Sequence, residues 1–241
     1  MNRINLSFLF VLISISLYTQ NIFDKEGAII RSDPLKKNIY LCFTGHDHID
    51  GFDDVLSVLK KQKVKGSFFF TGDFVRNNEA LVISIAKNGH FVGAHSDKHI
   101  LYCDWIKRDS LLHSENRIKE DILQNLNALK KLGIRPKYFM PPYEWYNKKV
   151  VHIASQLDQI TVNFTSGTRS NADYTTPDMP NYISSKDILE SIYSYLSINS
   201  MNGFHLLIHP GTSPKRKDKF YLHLDQLINK LKKEGYQFSK F

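Results

Sequence analysis

The sequence has little of several features that define large classes of protein. Its two cysteines, Cys42 and Cys103, are too few to form a disulfide framework. The apolar run at residues 6–17 covers about a dozen residues, which is too short to cross a bilayer comfortably. No Gly-rich phosphate loop follows the first predicted strand, so nothing indicates nucleotide binding, and no segment is repeated. Cys42 lies inside that strand, where we expect a buried thiol, and whether it pairs with Cys103 stays open.

Basic residues outnumber acidic residues, 32 against 24, which gives a net charge of +8 and an isoelectric point of about 9.3. The lysines and arginines are scattered, and their runs are no longer than residues 215–217. We therefore expect no nucleic acid partner, because a basic surface that faces an anionic envelope or an acidic glycan fits this balance better. With 42% hydrophobic residues in 241, the chain is long enough for one domain with a full core. The sequence does not indicate the oligomeric state.

The first twenty residues have the pattern of a secretory signal peptide. One basic side chain, Arg3, precedes the apolar run, and a polar stretch with Gln20 and Asn21 follows it. No cysteine lies near the expected cleavage point, which argues against a lipid anchor there. An uncleaved membrane anchor is the alternative, and either interpretation predicts an exported protein of the periplasm, the cell envelope or the medium. We expect no other membrane association, a lead-in segment at residues 21–37 and one folded domain at residues 38–241.

Apolar patterns with strand and helix periods alternate along this domain. Strands are predicted at residues 38–43, 65–70, 90–94, 137–140, 159–164, 204–208 and 236–239. Helices are predicted at residues 52–63, 77–88, 114–132, 147–157, 185–198 and 218–233. This alternation indicates an α/β domain with a parallel sheet. About seven strands could close as an incomplete barrel with outer helices, and an open doubly wound sheet is the competing layout.

The segment at residues 95–99, which reads His-Ser-Asp-Lys-His, is the most informative stretch of the chain. If it formed a helical turn, His95 and His99 would lie on the same side of it. Neutral imidazoles at that spacing can bind one divalent metal ion. A pair of ordinary surface or partly buried histidines is the alternative. The preceding strand favours a site, because α/β sheets place their chemistry where strands end.

Titratable and aromatic residues also follow the other predicted strands. In chain order these residues are His46, Asp47, His48 and Asp50; Asp73; His95 and His99; residues 141–145; Thr165, Arg169 and Asp173; and His209. The ends of parallel strands meet at one rim, so we expect these groups to converge there. The two long loops, residues 100–113 and 165–184, are expected to line the site.

Two histidines and one carboxylate would make a metal site with open positions for water and substrate. Asp47 is the first candidate for the carboxylate and Asp50 is the second. A turn residue that satisfies its own backbone is the alternative for Asp47. A bound metal would polarise a carbonyl oxygen and lower the pKa of a bound water, and the reaction would still need a base and an acid.

These residues resemble those of the NodB-like polysaccharide deacetylases, carbohydrate esterases that remove acetyl groups from sugars. The resemblance covers about residues 38–240. The family's H-S/T-x-x-H metal motif matches residues 95–99, and residues 67–70 resemble its second strand, usually A-T-F-F. Residues 206–209 match a late strand that ends in a catalytic histidine, and residues 141–143 match the last three positions of its R-x-P-Y loop.

The sequence departs from the family at the opening T-F-D-D-G motif, in which the first Asp is the base and the second binds the metal. One alignment places His46 at the base position and Asp47 at the metal position. A second alignment, by strand end, places Thr44 and Gly45 there and leaves both roles empty. We prefer the first, because a site of two histidines without a carboxylate would be unusual. The family's arginine is Met140 here.

The resemblance implies a distorted (β/α) barrel and metal-dependent removal of acetyl groups from an N- or O-acetylated polysaccharide or oligosaccharide. It implies one divalent metal ion bound by Asp47, His95 and His99. Zinc is the first candidate, with cobalt, nickel and manganese as alternatives. A non-catalytic glycan-binding protein on the same scaffold and an envelope amidase are the alternative functions.

The resemblance also implies catalytic roles. His46, or a carboxylate nearby, takes the proton from water, and His209 donates a proton to the leaving group. The main-chain N–H of Tyr143 stabilises the oxyanion together with the metal. Asp173 stands where the family has a later acidic residue, and Glu144 could supply a replacement carboxylate.

Residues expected at the substrate are Pro142, Glu144, Trp145, Tyr102 and Arg169. The rings of Tyr102, Trp105, Trp145 and Tyr146 are candidates for stacking on sugars, with core or rim packing as the alternative for each.

Overall fold

The longest strand, β3 (Asn38–Gly45), is the centre of a nine-stranded sheet that is mostly parallel. The structure, a computed structural model, describes residues 21–241. The predicted signal peptide at residues 1–20 lies outside the described residues. None of the helices between residues 21 and 241 has the length and apolar character needed to cross a membrane.

The other strands are β1 (Ile22–Phe23), β2 (Ile29–Arg31), β4 (Ser67–Phe70), β5 (Phe91–Ala94), β6 (Tyr138–Phe139), β7 (Ile160–Thr161), β8 (Phe204–Ile208) and β9 (Gln237–Ser239). The helices are α1 (Phe52–Lys61), α2 (Gly72–Asn77), α3 (Glu79–Lys87), α4 (Glu115–Lys131), α5 (Lys148–Ser155), α6 (Ser185–Ile198) and α7 (Leu224–Lys233). Short 3-10 turns occur at Pro142–Glu144, Ser170–Ala172 and Phe220–His223.

The strand order shows how the sheet curls into a barrel. The order is β1-β2-β8-β3-β4-β5-β6-β7, and β9 pairs with the start of β3. Strands β3 to β8 all run parallel to one another. Strand β2, on the other side of β8, runs antiparallel to it. Ile29 of β2 also bridges to Val162, just past β7. This contact brings β2, which lies near one end of the strand order, against the strand at the other end, so the sheet curls round on itself. The structure confirms the predicted distorted (β/α) barrel and not the open doubly wound layout.

Two apolar layers result from the alternation of side chains along the strands. One face of the sheet packs against the helices and includes Leu41, Phe43, Phe68 and Phe70. The opposite face forms a smaller cluster inside the barrel, contributed by six strands or their ends: Ile29, Cys42, Phe69, Met140, Val162 and Leu207. Both Cys42 and Cys103 are buried and free. The interior cluster closes one side of the barrel and leaves the rim past the strand ends open for a site.

The sequence predicted most of these elements and missed three features. The lead-in segment contains β1 and β2, which complete the sheet. Helix α2 precedes the predicted helix 77–88, and its start is fixed by the Thr71 hydroxyl, which accepts from the Phe74 N–H at 3.1 Å. Helix α7 begins at Leu224 rather than at residue 218, because a 3-10 turn occupies residues 220–223.

Candidate active site

A cavity of about 630 Å³ opens at the rim where the parallel strands end. Nine residues predicted for the site line it: His46, Asp47, His48, His95, His99, Trp105, Tyr143, Glu144 and His209. Thr44, Tyr174 and Met179 also contribute to its wall. The predicted convergence of polar groups at one rim is therefore present in the fold.

The segment at residues 95–99 is a loop and not the helical turn on which the argument from the spacing of the two histidines depended. Ser96 and His99 have φ angles of +70° and +52°, which a helix does not permit. Side chains of α4 take the main-chain donors instead. Asn125 accepts from the His95 N–H at 2.8 Å, and Asp121 accepts from the Lys98 N–H at 3.1 Å. The two imidazoles approach each other through this loop geometry rather than through helical spacing.

An ion-pair cluster supports the loop from the side away from the cavity. Arg76 donates to both oxygens of Asp97, at 2.7 and 3.0 Å. Arg76 and Lys98 also contact Asp73, which was predicted to reach the rim. These cations lower the pKa of the Asp73 carboxyl in spite of partial burial, which acts to raise it. Asp73 therefore braces the loop and does not line the cavity.

Three imidazoles lie against one another in the cavity. The ring of His99 stacks on that of His46, with a centroid distance of 4.2 Å and an interplanar angle of 20°. The ring of His95 lies 5.0 Å from that of His99. His95 Nδ1 donates to the Met140 carbonyl at 2.8 Å, which leaves its Nε2 as an acceptor. His46 Nδ1 is buried without a hydrogen-bond partner.

Burial keeps these imidazoles neutral. It lowers the pKa of His95 to about 3, although the hydrogen bond to Met140 acts in the opposite direction. Burial and the neighbouring imidazoles lower the pKa of His99 to about 2. Burial also lowers the pKa of His46, against the opposing field of Asp47. Neutral imidazoles are the form that binds a divalent metal, so the chemistry of these donors fits one.

Neither candidate carboxylate forms an ion pair or hydrogen bond with His95 or His99. The Asp47 side chain is 67% exposed, and its Oδ1 lies 3.2 Å from His46 Nε2. Asp50 contacts Lys219 at 2.9 Å and accepts from the Thr212 N–H at 3.2 Å. Within residues 21–241, no three His, Cys, Asp or Glu side chains already form a group that could hold a metal ion. The predicted Asp47–His95–His99 triad is therefore not preformed.

His209 and Asp173 form a close pair at the cavity wall. His209 Nδ1 lies 2.6 Å from Asp173 Oδ1, and the His209 main-chain N–H donates to Asp173 Oδ2 at 2.8 Å. Burial acts to lower the pKa of His209, but the Asp173 carboxylate more than offsets it, so the pKa is raised. Asp173 is completely buried behind the ring. The pair can therefore hold a proton on the His209 ring at a pH where an ordinary histidine loses it.

The turn after β6 carries two consecutive residues in the left-handed region. Tyr143 and Glu144 have φ angles of +59° and +52°. The Asn163 side chain donates to the Glu144 carbonyl at 3.1 Å, and the Glu144 N–H donates to the Pro141 carbonyl at 3.1 Å. Burial raises the pKa of the Glu144 carboxyl to about 7, while the charge of His209 acts to lower this pKa and that of Asp173 acts to raise it. Strained backbone of this kind is typical of functional sites.

An aromatic group forms the exposed lip of the cavity. Trp105 is 54% exposed, Tyr143 is 45% exposed, and their ring centroids lie 5.8 Å apart. Trp145 is half-buried behind Trp105, and its indole N–H donates to the Asp104 carbonyl at 3.1 Å. Arg108 covers the Trp145 ring at 4.1 Å. Trp145 therefore supports the lip from outside the cavity.

Several predicted substrate residues do not reach the cavity. Tyr102 and Tyr146 are completely buried, so the prediction that they stack on sugars was wrong. The Tyr102 hydroxyl donates to Asp121 at 2.7 Å, and the Tyr146 hydroxyl donates to Asp24 at 2.7 Å. Pro142 is buried in the turn, and Arg169 is exposed and donates to the Asn181 carbonyl at 3.3 Å.

Sequence reasoning missed Tyr174 and Met179 in the cavity wall. The Tyr174 ring lies 5.4 Å from that of His209. Both residues belong to the loop at residues 165–184, which was expected to line the site because of its length. No periodicity within that loop distinguished them from their neighbours.

Comparisons with known proteins decide the family. The polysaccharide deacetylase family matches residues 31–162, more than half of the chain. The chain belongs to the polysaccharide deacetylase family. YlxY, an uncharacterized protein of Bacillus subtilis (strain 168), is 31% identical over 76% of this chain and 50% of its own length. The chain thus spans about half of YlxY.

Two further proteins similar to this chain are a deacetylase and a pseudoenzyme. A peptidoglycan-N-acetylglucosamine deacetylase of Bacillus cereus (strain ATCC 14579) is 27% identical over 76% of this chain and 76% of its own length. The crystal structure of a CE4 family pseudoenzyme from Bacillus anthracis superposes on this chain with a TM-score of 0.72. The two sequences are 24% identical, and the superposition covers 90% of this chain and 68% of that chain. This second likeness shows the shared fold alone.

The register of the sheet bears on the family's Asp-Asp pair. Strand β3 ends at Gly45, which pairs with Phe70, and Phe70 in turn pairs with Ala94, the residue before His95. A Cβ atom on Gly45 would lie 2.6 Å from the Phe70 ring, so the strand end has no room for a side chain there. Thr44 lines the cavity. The register therefore favours the alignment by strand end, in which neither position carries a carboxylate.

Proposed function

We propose that the protein is an exported, metal-dependent hydrolase that removes acetyl groups from an acetylated glycan of the bacterial envelope. The peptidoglycan deacetylases among its relatives support the substrate class, and the basic net charge of +8 suits an anionic envelope. The observation that carries the proposal is the His209–Asp173 pair, which lies at the same cavity as three neutral imidazoles.

A divalent cation, with zinc as the first candidate, would be held by His95, His99 and one further side chain. When bound, it would polarise the acetyl carbonyl and lower the pKa of a water molecule. The main-chain N–H of Tyr143 is the proposed protein donor to the developing oxyanion. These assignments follow from the resemblance and from the cavity that the residues share.

His209 is the proposed acid. Its ring is 16% exposed on the cavity side, and Asp173 holds Nδ1 so that Nε2 faces the cavity. The raised pKa of His209 keeps the ring protonated at a pH where an ordinary histidine is losing its proton. A protonated imidazole in this position can donate a proton to the leaving amine or alkoxide.

Glu144 is the proposed base, in place of the earlier assignment to His46. Burial lowers the pKa of His46, which makes it a weak base. Burial instead raises the pKa of Glu144 to about 7, which matches a group that must accept a proton near neutral pH. Both side chains line the cavity, so both could reach a water molecule there. The exposed faces of Trp105 and Tyr143 are the proposed platform for the sugar.

Acetate release from a panel of acetylated substrates tests the proposal. The panel comprises peptidoglycan glycan strands, N-acetylglucosamine oligosaccharides, O-acetylated xylan and an N-acetylated peptide. We expect zinc-loaded protein to release acetate from at least one glycan, and His209→Ala to lose this activity. His152→Ala is the matched control, because His152 is exposed on α5 away from the cavity. Absence of acetate from every glycan would contradict the proposal.

A non-catalytic glycan-binding protein is the second candidate function. The observation that favours it is the strand end at Thr44 and Gly45, which carries no carboxylate. Equilibrium binding of the same glycans, without acetate release and unchanged in His209→Ala, would establish this function. Release of amines from envelope peptides would instead indicate an amidase.

A further inference from the structure

We propose that the end of the barrel opposite the cavity docks on an anionic lipid bilayer. Its lysines would face the lipid headgroups, and two exposed aliphatic side chains, Leu35 and Ile198, would enter the interface below them. This inference goes beyond the proposed function and does not depend on hydrolysis. It also extends the expectation of no membrane association apart from the signal segment, because the fold collects lysines that are scattered in the sequence.

Basic residues collect at the end of the barrel where the parallel strands begin. Helices α1, α3, α4, α5, α6 and α7 each end before the next strand of the sheet, β4 to β9 in order, so their last turns lie at this end. Fifteen exposed or half-buried basic residues occur in those last turns, in the segments that lead to the next strand, or beside β3 and β9. We call this set the basic face: Lys36, Lys37, Lys60, Lys61, Lys63, Lys65, Lys87, Lys130, Lys131, Arg135, Lys137, Lys230, Lys232, Lys233 and Lys240.

Acidic residues are few on the same segments. Asp33, Asp158 and Glu234 occur there, whereas the rest of residues 21–241 has 21 acidic residues and 16 basic ones. Three members of the basic face form an ion pair with a carboxylate of the described chain, and the other twelve form none with it. The positive charge of the domain is therefore concentrated at the end opposite the cavity.

Helix capping explains only part of this set. Eight of the fifteen lie in the last turns of α1, α3, α4 and α7, where a cation stabilises the helix dipole. The other seven lie outside the helices. Fourteen of the fifteen are lysines. Lysine is a flexible point charge, whereas arginine is preferred where a phosphate is bound in a fixed geometry. The basic face therefore suits a broad anionic surface better than one defined anion.

Two highly exposed apolar side chains lie at the same end. Leu35, 73% exposed, immediately precedes Lys36, and Ile198, 81% exposed, is the last residue of α6. Their segments contact each other, because the Asn202 side chain donates to the Pro34 carbonyl at 3.0 Å. Apolar side chains beside lysines are typical of surfaces that bind the membrane interface. An anionic polymer would offer no apolar layer to these side chains, so they favour a bilayer.

The start of the described chain lies at this end too. Asn21 lines a cavity of about 300 Å³ together with Lys36 and Lys240, and the apolar run at residues 6–17 precedes it in the sequence. Strand β3 leads from this end to the active-site cavity over eight residues, about 25 Å at the usual rise of a strand. Docking through the basic face would therefore leave that cavity facing away from the bilayer.

Cosedimentation of the full chain with lipid vesicles tests the proposal without any glycan. Vesicles of phosphatidylcholine alone are compared with vesicles that also contain phosphatidylglycerol, so residues 1–20 contribute equally to both. We expect the anionic vesicles to bind at least about 10-fold more tightly at low salt, and the difference to disappear at about 1 M salt, where the Debye length is about 3 Å. Equal affinity for the two compositions at low salt would overturn the proposal.

Charge substitutions locate the contact. A fourfold glutamine variant should weaken binding to anionic vesicles by more than about 50-fold, since each basic residue near such a surface contributes about a fivefold change. Its substitutions are Lys60→Gln, Lys87→Gln, Lys131→Gln and Lys233→Gln. The matched control has the same change in net charge at exposed lysines of the cavity end: Lys107→Gln, Lys148→Gln, Lys149→Gln and Lys217→Gln. Wild-type affinity in the first variant, or an equal loss in both, would contradict docking through the basic face.

The apolar pair distinguishes a bilayer from an anionic polymer. Leu35→Asn combined with Ile198→Asn should weaken vesicle binding by about 5- to 10-fold. Ile106→Asn, at a 93% exposed position beside the cavity, is the control and should have no effect. Unchanged affinity in the double variant would refute the bilayer and indicate a polymer instead.

Tryptophan fluorescence reports the orientation in the unmutated chain, so this test does not depend on the folding of a variant. Both tryptophans, Trp105 and Trp145, lie at the lip of the cavity, far from the basic face. Brominated lipid quenches indoles that reach the bilayer, and we expect no quenching when the protein is bound to anionic vesicles. Quenching would place the cavity end on the membrane and overturn the proposal. Because no glycan is present, failure here is distinguishable from failure of the hydrolase proposal.

Discussion

Replacing Asp173 by Asn tests the proposed acid, because it removes the charge behind His209 with little change in shape. Asp173 accepts from two donors of His209, Nδ1 at 2.6 Å and the main-chain N–H at 2.8 Å. Asn offers one acceptor oxygen, so one of these bonds is lost. A hydrogen bond to a charged group contributes about 1.5–3 kcal/mol, and that is the expected loss of unfolding free energy.

The pH dependence of this loss follows from the raised pKa of His209. Because the folded state binds the proton more tightly than the unfolded state, the ion pair stabilises the fold fully below the unfolded pKa of about 6.5. This contribution is lost as the pH rises through the folded pKa. We therefore expect Asp173→Asn to lower the unfolding free energy most at pH values below the unfolded pKa of His209 and least at pH values above its folded pKa. Urea unfolding of both proteins at a series of pH values measures this difference.

Histidine-selective 13C NMR titration reports the same effect at the ring itself. The pKa of His209 should be above its ordinary value in wild-type protein and should fall in Asp173→Asn. Turnover should decrease by about 10²- to 10⁴-fold, the range for a general acid. The His209 resonance can be assigned from its absence in His209→Ala. An unchanged pKa of His209 in Asp173→Asn would refute the reasoning.

Three further substitutions test other parts of the site. Glu144→Gln should reduce turnover by about 10²- to 10⁴-fold. As the pH rises from 4.5 to about 7, the variant should become increasingly more stable than wild type, because the raised pKa of Glu144 makes its ionisation costly in the wild-type fold. Activity equal to that of wild type would place the base elsewhere. Trp105→Ala should raise KM for the glycan by about 3- to 10-fold with little change in kcat, whereas Ile106→Ala, at a 93% exposed neighbour, should change neither. Tyr102→Phe should lower Tm by about 2–4 °C through the lost bond to Asp121 and leave KM unchanged; a higher KM would mean that the ring reaches substrate.

The alternation of helices and strands was predictable because most elements carry a strong apolar period. Helix α1 buries Phe52, Val55 and Leu59, and β4 is a continuous apolar strand with both faces covered. The same reasoning placed His46, His95 and His209 at one rim, because each follows a strand of the same parallel sheet. The rules of parallel connections predicted a parallel sheet, but they did not distinguish the closed barrel from the open doubly wound layout.

Features that depend on contacts distant in sequence were not predictable. Strand β2 is short, and it is defined by its pairing with β8 and by the contact of Ile29 with Val162, which no local pattern reveals. The loop at residues 95–99 is held by Asn125 and Asp121 of α4, so its departure from a helical turn depends on tertiary structure. Burial likewise decides that Tyr102 packs in the core, although the sequence gives it the same appearance as Trp105.

The activity proposed for the rim of this barrel is hydrolysis of acetylated sugars. Mass spectrometry of peptidoglycan glycan strands, incubated with zinc-loaded wild-type protein and in parallel with His209→Ala, tests it most directly. We predict sugars that have lost an acetyl group and gained a free amine or hydroxyl in the wild-type sample alone. Strands that remain fully acetylated in both samples, although the protein binds them, would contradict the account.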